Sequence, residues 1–224
     1  MIATVDIADL GVRSTLRSLV NTRLQPANVP GLRWADSATL LPLASTRPPS
    51  LRRAALLAFW DDEDAADAFR AEHPVGKRFA GGLRATLRPL RAFGSWPGLA
   101  DDITASRAVP HEGPVVVFTL GRLRVSQTVR FLRTSRPAEN AALDAEGFVW
   151  GTAAARPPFV ATVSAWASSR DAAAYAYARQ RPQHADAITE QQRRDFHVRS
   201  AFIRFDPTRV DGALDGTNPV SAAS

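Results

Sequence analysis

The chain has 224 residues, 45% hydrophobic and 22% charged, with a net charge of +6 and a pI near 11.0. That is the balance of a globular protein of one domain or two half-size ones. It contains no cysteine, which excludes disulfides, thiolate catalysis and cysteine-held zinc or iron–sulfur centres. Every basic residue except Lys77 is arginine, and the arginines are scattered among alanines rather than gathered in a tail. This reads as compositional drift toward Arg, Ala, Val and Pro, so no nucleic-acid partner is expected; a nucleic-acid surface built on the arginines is the other reading. The start, MIATVDIADLGVR, lacks the basic and apolar regions of a signal peptide, and no run of about 18 apolar residues occurs. A cytoplasmic protein without a membrane span is expected.

In chain order, residues 1–10 read as a strand ending in Leu10-Gly11. A helix follows with Ser14 as N-cap and Leu16, Leu19, Val20 and Leu24 on one face, stopped by Pro26 to Pro30. Gly31 to Pro42 is a second strand around Trp34, and residues 44–50 (ASTRPPS) are a loop. Ala54 to Trp60 is a third strand. Asp61-Asp62 then caps a helix whose acidic first turn suits the positive end of the helix dipole. Leu83 to Phe93 is the fourth strand.

The second half repeats this order. Pro114 to Leu120 is a strand ending in Leu120-Gly121, and a helix carrying Val125, Val129, Phe131 and Leu132 follows, stopped near Pro137. Gly147 to Ala153 is a strand around Trp150, and Phe159 to Trp166 is another. Ser168 or Ser169 caps the helix DAAAYAYARQ, and Val198 to Phe205 is the last strand. The landmarks agree by spacing. The two Leu-Gly pairs lie 110 residues apart, Trp60 and Trp166 lie 106 apart, and so do Phe69 and Tyr175. Trp34 and Trp150 are 116 apart because the first copy has a longer 44–53 loop.

The expected fold is therefore α+β: a tandem duplication of the ferredoxin-like βαββαβ unit, closing into a dimeric-α/β-barrel-like fold within one chain. The expected divisions are 1–110, 111–213 and a flexible tail, 214–224. The space between the two sheets is either a ligand cavity or a packed core with tryptophan filler.

Chemistry must fall on few residues. The histidines at 73, 111, 184 and 197 form no HxH or HExxH pattern, and no GxGxxG, GxxxxGK[ST] or GxSxG sequence occurs. One histidine suffices for haem, where a neutral imidazole holds the iron and the cofactor supplies the reactivity. His184 is best placed, since it follows Pro182 and precedes a helical run, ADAITEQQRRDF, whose N-terminal dipole disfavours the imidazolium. His197, at the start of the last strand, is the runner-up. Each histidine also has the plain reading of a surface or satisfied core residue. Arg156, fixed by Pro157-Pro158, and then Arg130 and Arg133 are candidates to pair with haem propionates.

The run GFVWGTAAARPPFVATVSAW, then AYAY, HADAI and FHVRSAFIRF, resembles the spheroidene monooxygenase family over roughly Pro114 to Pro207. Its most specific pieces are Ala155-Arg156-Pro157-Pro158, Thr162 to Trp166 and His184 to Ile188, whereas the first half matches in architecture only. The resemblance implies a monooxygenase with haem b iron that oxygenates an apolar, carotenoid-like small molecule, with electrons from a reduced ferredoxin-type donor. It also implies a dimeric-α/β-barrel fold and admits a homodimer and membrane association through the apolar substrate. His184 falls on the family's histidine in this motif and takes the proximal-ligand role. Arg156 and Trp166, inside two of these pieces, stand as the candidate catalytic residues. The alternatives are a cofactor-free α/β-barrel monooxygenase or ligand-binding protein, in which the tryptophans and Tyr175 or Tyr177 line the pocket, and a haem enzyme acting on small N–O compounds.

Overall fold

The computed structural model describes residues 1–21, 24–43, 50–106, 109–127, 139–178 and 196–214, with Gly216 and Asn218. The first half runs β1 (Ile2–Asp9), α1 (Val12–Asn21), β2 (Leu32–Pro42), β3 (Ser50–Trp60), α2 (Glu63–Glu72), α3 (Pro74–Arg78) and β4 (Leu83–Gly94). The second runs β5 (Val115–Leu123), β6 (Phe148–Arg156), β7 (Phe159–Trp166), α4 (Ser169–Ala178) and β8 (His197–Asp211). All eight expected strands form. The expected helix after β5 falls largely outside the described residues, as does the helical run after His184; only a short 3-10 turn, Val125–Gln127, is seen there. Among the described residues no helix is long and apolar enough to cross a membrane.

The strands close into one barrel in the order β1-β3-β2-β6-β7-β5-β8-β4. Taken by halves, this is β4-β1-β3-β2 joined to β8-β5-β7-β6, the ferredoxin-like order occurring twice. The halves meet at two antiparallel seams. The β2–β6 seam pairs Thr39 to Pro42 with Ala155 to Thr152, and the β4–β8 seam runs from Arg84–Asp211 to Gly94–Ala201. Arg88 and Asp206 form an ion pair of 2.6 Å across the longer seam. Arg209 on β8 reaches Asp67 and Glu63 on α2, and it holds the Asp67 carboxyl below its ordinary value, chiefly by hydrogen bonding.

The duplication extends to an irregularity in register. In β2–β3, Leu32 pairs with Trp60 and Trp34 with Phe59, skipping Arg33. In β6–β7, Phe148 pairs with Trp166 and Trp150 with Ala165, skipping Val149. A bulge just before each tryptophan switches the strand's inward face, so Trp34 and Trp150 turn toward the barrel interior while Trp60 and Trp166 face out.

Alternation along the strands separates two kinds of core. Inside the barrel, Val5, Ile7, Leu57, Phe59, Leu87, Phe118, Leu120, Ile203 and Phe205 pack as a continuous cluster; of the two expectations for this space, the described residues fill it as a core. Outside, Phe69 of α2 and Phe79 just past α3 pack with Leu56 and Trp60 of β3, and α4 covers Val115 and Trp166.

Helix caps follow the expected chemistry. Asp62 accepts the Ala65 N–H at 2.9 Å, and the Ser168 hydroxyl accepts the Asp171 N–H at 3.1 Å. Helix α1 departs from expectation. It begins at Val12, ahead of Ser14, and its buried face carries Thr15 and Ser18, while Leu16 is exposed. The hydroxyls make that burial tolerable, because Thr15 donates to the Arg52 carbonyl at 2.9 Å and Ser18 to the Thr15 carbonyl at 2.7 Å.

Candidate functional site

The second sheet presents two faces, and the expected site residues divide between them. Arg156, at the end of β6, shares its parity with Ala154 of the interior cluster. Its Nε donates to Asp36 Oδ1 at 2.9 Å, and a terminal nitrogen bonds to the same oxygen. Asp36 lies on β2 between the interior residues Trp34 and Ala38. The pair thus bridges the halves beside the short seam, where β2 and β6 part. Burial pushes the Asp36 carboxyl above its ordinary value, against the pull of the Arg156 hydrogen bond, so the guanidinium is committed to compensating a half-desolvated carboxylate.

Trp166 lies at the far end of the β6–β7 hairpin and on the opposite face. Its ring stacks on Tyr175 of α4 with centroids 5.1 Å apart and meets Phe148 edge-on at 5.3 Å, while its Nε1 donates to Ser164 Oγ at 2.9 Å. Trp60 does the same in the first half, packing on Phe69 at 5.0 Å and donating to Thr4 Oγ1 at 3.0 Å. Arg156 and Trp166 are therefore not brought together, and Trp166 occupies a packing position that both copies share. Tyr175 packs with it on this outer face, and the Tyr177 side chain lies outside the described residues.

His197 is also on the outer face, near Leu123, Val160 and Phe196. A Cβ built at Gly121 would lie 2.7 Å from both Cδ2 and Nε2 of His197, so the imidazole rests directly on a glycine backbone. His184, Arg130 and Arg133 lie outside the described residues. His111 places Nε2 3.2 Å from the Pro114 carbonyl. His73 caps α3: its Nδ1 accepts the Val75 N–H at 3.2 Å and its ring stacks on Phe69 at 4.7 Å.

The His73 cap gives a pH prediction. Desolvation first, and Arg78 second, hold His73 below its ordinary 6.5. A depressed folded value means that its stabilisation is complete above about pH 6.5 and fades as pH falls through the folded value. The protection factors of Val75 and Gly76, that is, their exchange relative to the intrinsic rate at each pH, should fall on acidification below that point, and His73→Asn, which keeps a capping acceptor, should flatten the response. An unchanged acid response in that variant would remove the assignment.

Whether haem suits these residues can be judged from the donor set. Among the described residues no group of three His, Asp or Glu side chains could hold a metal ion, whereas haem needs only one imidazole beside apolar surface. The outer face around Gly121 provides that chemistry in His197, with Val160, Leu123 and Phe196 beside it. Among the described residues the donor chemistry is thus that of a single imidazole near apolar side chains and not of a multi-ligand metal centre.

No family model matches the chain. Among curated proteins, spheroidene monooxygenase from Rubrivivax gelatinosus is 33% identical to it over 174 residues. The chain is a homologue of that protein. The alignment takes in 75% of this chain and 65% of the relative, so the chain spans about two-thirds of the relative's length. It also reaches well beyond Pro114 to Pro207, which corrects the expectation that the first half matches in architecture only. Among solved structures, an anthrone oxidase-like protein is 14% identical with TM-score 0.36, covering 97% of this chain and 96% of its own. A ferredoxin fold protein related to antibiotic biosynthesis monooxygenases, from Listeria monocytogenes, is 16% identical with TM-score 0.33, covering 93% and 95%. An aldoxime dehydratase bound to butyraldoxime is 9% identical with TM-score 0.46, covering 92% and 79%.

Sequence reasoning missed Asp36 and Trp96. The signal for Asp36 was present, since a carboxylate two residues from Trp34 on an apolar strand face requires a partner. Trp96 sits just past β4 in a segment without periodicity, yet its ring meets Trp34 at 5.6 Å and Phe159 at 5.9 Å.

Proposed function

We propose that the chain is a haem b-dependent monooxygenase that oxygenates an apolar, carotenoid-like molecule. The observation that carries this reading is the 33% identity to spheroidene monooxygenase over 174 residues. Haem would supply the activation of dioxygen that the side chains themselves lack. His184, within the HADAI piece, is the candidate proximal ligand, with His197 as the alternative. Arg130 and Arg133 are the candidates for the propionates, because Arg156 is already engaged by Asp36. The net charge of +6 suits an acidic, ferredoxin-type electron donor.

The test is spectroscopic. Protein produced with haem supplied should show a Soret band that His184→Ala abolishes or shifts and His197→Ala leaves in place. Loss of the band only in His197→Ala would transfer the ligand role, and a wild-type protein indifferent to haem would remove the haem reading in favour of a cofactor-free enzyme of the same barrel.

A further inference from the structure

We propose that helix α1 docks the protein on an anionic lipid surface, with Val12 and Leu16 entering the headgroup layer and Arg13 and Arg17 gripping its phosphates. The starting observation is an inverted helix. A helix lying on a sheet ordinarily buries its apolar residues and exposes its hydroxyls. In α1 the hydroxyl residues Thr15 and Ser18 are 0% and 3% exposed, while Val12 and Leu16 are 41% and 45% exposed. Hydrogen bonds hold this orientation. The Thr15 N–H donates to the Gly11 carbonyl at 3.0 Å, and the Thr15 hydroxyl donates to the Arg52 carbonyl at 2.9 Å. Turning the helix to bury Leu16 would withdraw Thr15 from Arg52, so the fold itself keeps the leucine outside.

Charge decides the occupant. Val12 and Leu16 lie one turn apart, and Arg13 and Arg17 repeat that spacing on the adjoining flank. Both arginines are exposed, and neither has an acidic partner among the described residues. The helix, VRSTLRSLVN, contains no acid. Asp9, just ahead of it, is engaged by Arg52 at 3.0 Å and by the Gly11 N–H at 2.9 Å. The face is thus aliphatic and cationic with no opposing charge, which matches anionic headgroups lying over acyl chains. Two copies of such a face would repel each other. Size points the same way. A helix of 10 residues is about 15 Å long, and its few aliphatic side chains fall short of the roughly 800 Å² per partner of a standard protein interface. A bilayer demands no shape complementarity, and a shallow apolar insertion joined to cationic contacts gives reversible attachment. The docking face stands on the helix alone; its use in reaching a bilayer-dissolved substrate rests on the proposed oxygenase function.

The test needs neither haem nor substrate. The full-length protein is co-sedimented with phosphatidylcholine vesicles prepared with and without phosphatidylglycerol. Binding is expected to the mixed vesicles only, and it should fall away in about 0.5 M salt. Leu16→Ser should weaken it roughly 10-fold by removing the apolar insertion, and Arg17→Gln roughly 5-fold by removing one headgroup contact. Both positions are exposed, so both variants should melt with the wild type. Phe202→Ser, which removes a 40% exposed aromatic at the β4–β8 seam, should bind vesicles as the wild type does. No sedimentation with the anionic vesicles, undiminished binding in Leu16→Ser, or a loss confined to Phe202→Ser would each overturn the proposal. So would lipid-free self-association that Leu16→Ser abolishes, since it assigns the face to a second copy. A protein that takes up no haem yet binds vesicles through α1 removes the haem reading alone, so the two proposals fail separately.

Discussion

Arg70→Met should lower folding stability by about 3–5 kcal/mol, the range for breaking a buried ion pair from one side. Asp6 on β1 is 1% exposed and Arg70 on α2 is 6% exposed. The Arg70 Nε contacts both Asp6 oxygens at 3.1 and 3.3 Å, and its terminal nitrogens donate to Asp6, to Thr86 Oγ1 at 2.8 Å and to the Ala85 carbonyl at 3.0 Å. Methionine fills part of the volume and leaves the Asp6 carboxylate buried with no cation in contact. The cost is therefore the desolvation of that carboxylate rather than the net worth of the bridge. Adding Asp6→Leu should recover most of the loss, because two apolar side chains can replace a buried pair at little or no cost. Urea unfolding of the two variants would decide it. A double variant no more stable than Arg70→Met would mean that the pair contributes through packing rather than through charge compensation.

Gly82→Ala should be nearly as damaging, at about 3 kcal/mol or more, for a purely steric reason. A Cβ at position 82 would lie 1.9 Å from the Ile7 carbonyl oxygen and 2.8 Å from the Ala8 Cβ. The obstacle is backbone on the neighbouring strand, so no rotamer relieves it. The Ile7–Leu83 pairing that starts the β1–β4 ladder must part, and overpacking that moves backbone lies at the costly end of its range. By contrast, Gly81→Ala meets nothing within 4 Å and should be close to neutral. Thermal unfolding of the two neighbouring variants makes the comparison direct, and similar melting temperatures would refute the steric account.

The architecture was largely legible in the sequence because the duplication marks itself twice. Two Leu-Gly pairs and two pairs of tryptophans recur at nearly constant spacing, and the period-two pattern of the apolar strands is strong, although the second Leu-Gly pair lies within β5 rather than at its end. What could not be read was the facing of individual residues. Trp166 and Arg156 occur ten residues apart in one hairpin, yet strand parity puts them on opposite sides of the sheet. Helix α1 misled for a related reason, since its hydroxyls satisfy their hydrogen bonds locally and can take the buried side that an apolar count assigns to leucine. The Asp36–Arg156 pair links residues 120 apart, a contact that local pattern cannot supply.

The two seams that close the barrel are unequal, and this gives the molecule a mechanical polarity. Among the described residues, one joins β4 to β8 through ten paired residues and carries the Arg88–Asp206 bridge; the other joins β2 to β6 through four. The halves are bound like a book, with the long seam as spine and the short one as fore-edge. Local opening follows the weakest set of backbone hydrogen bonds, so separation of the halves starts at the fore-edge. Asp36 and Arg156 stand beside that edge as its clasp, one residue from each half.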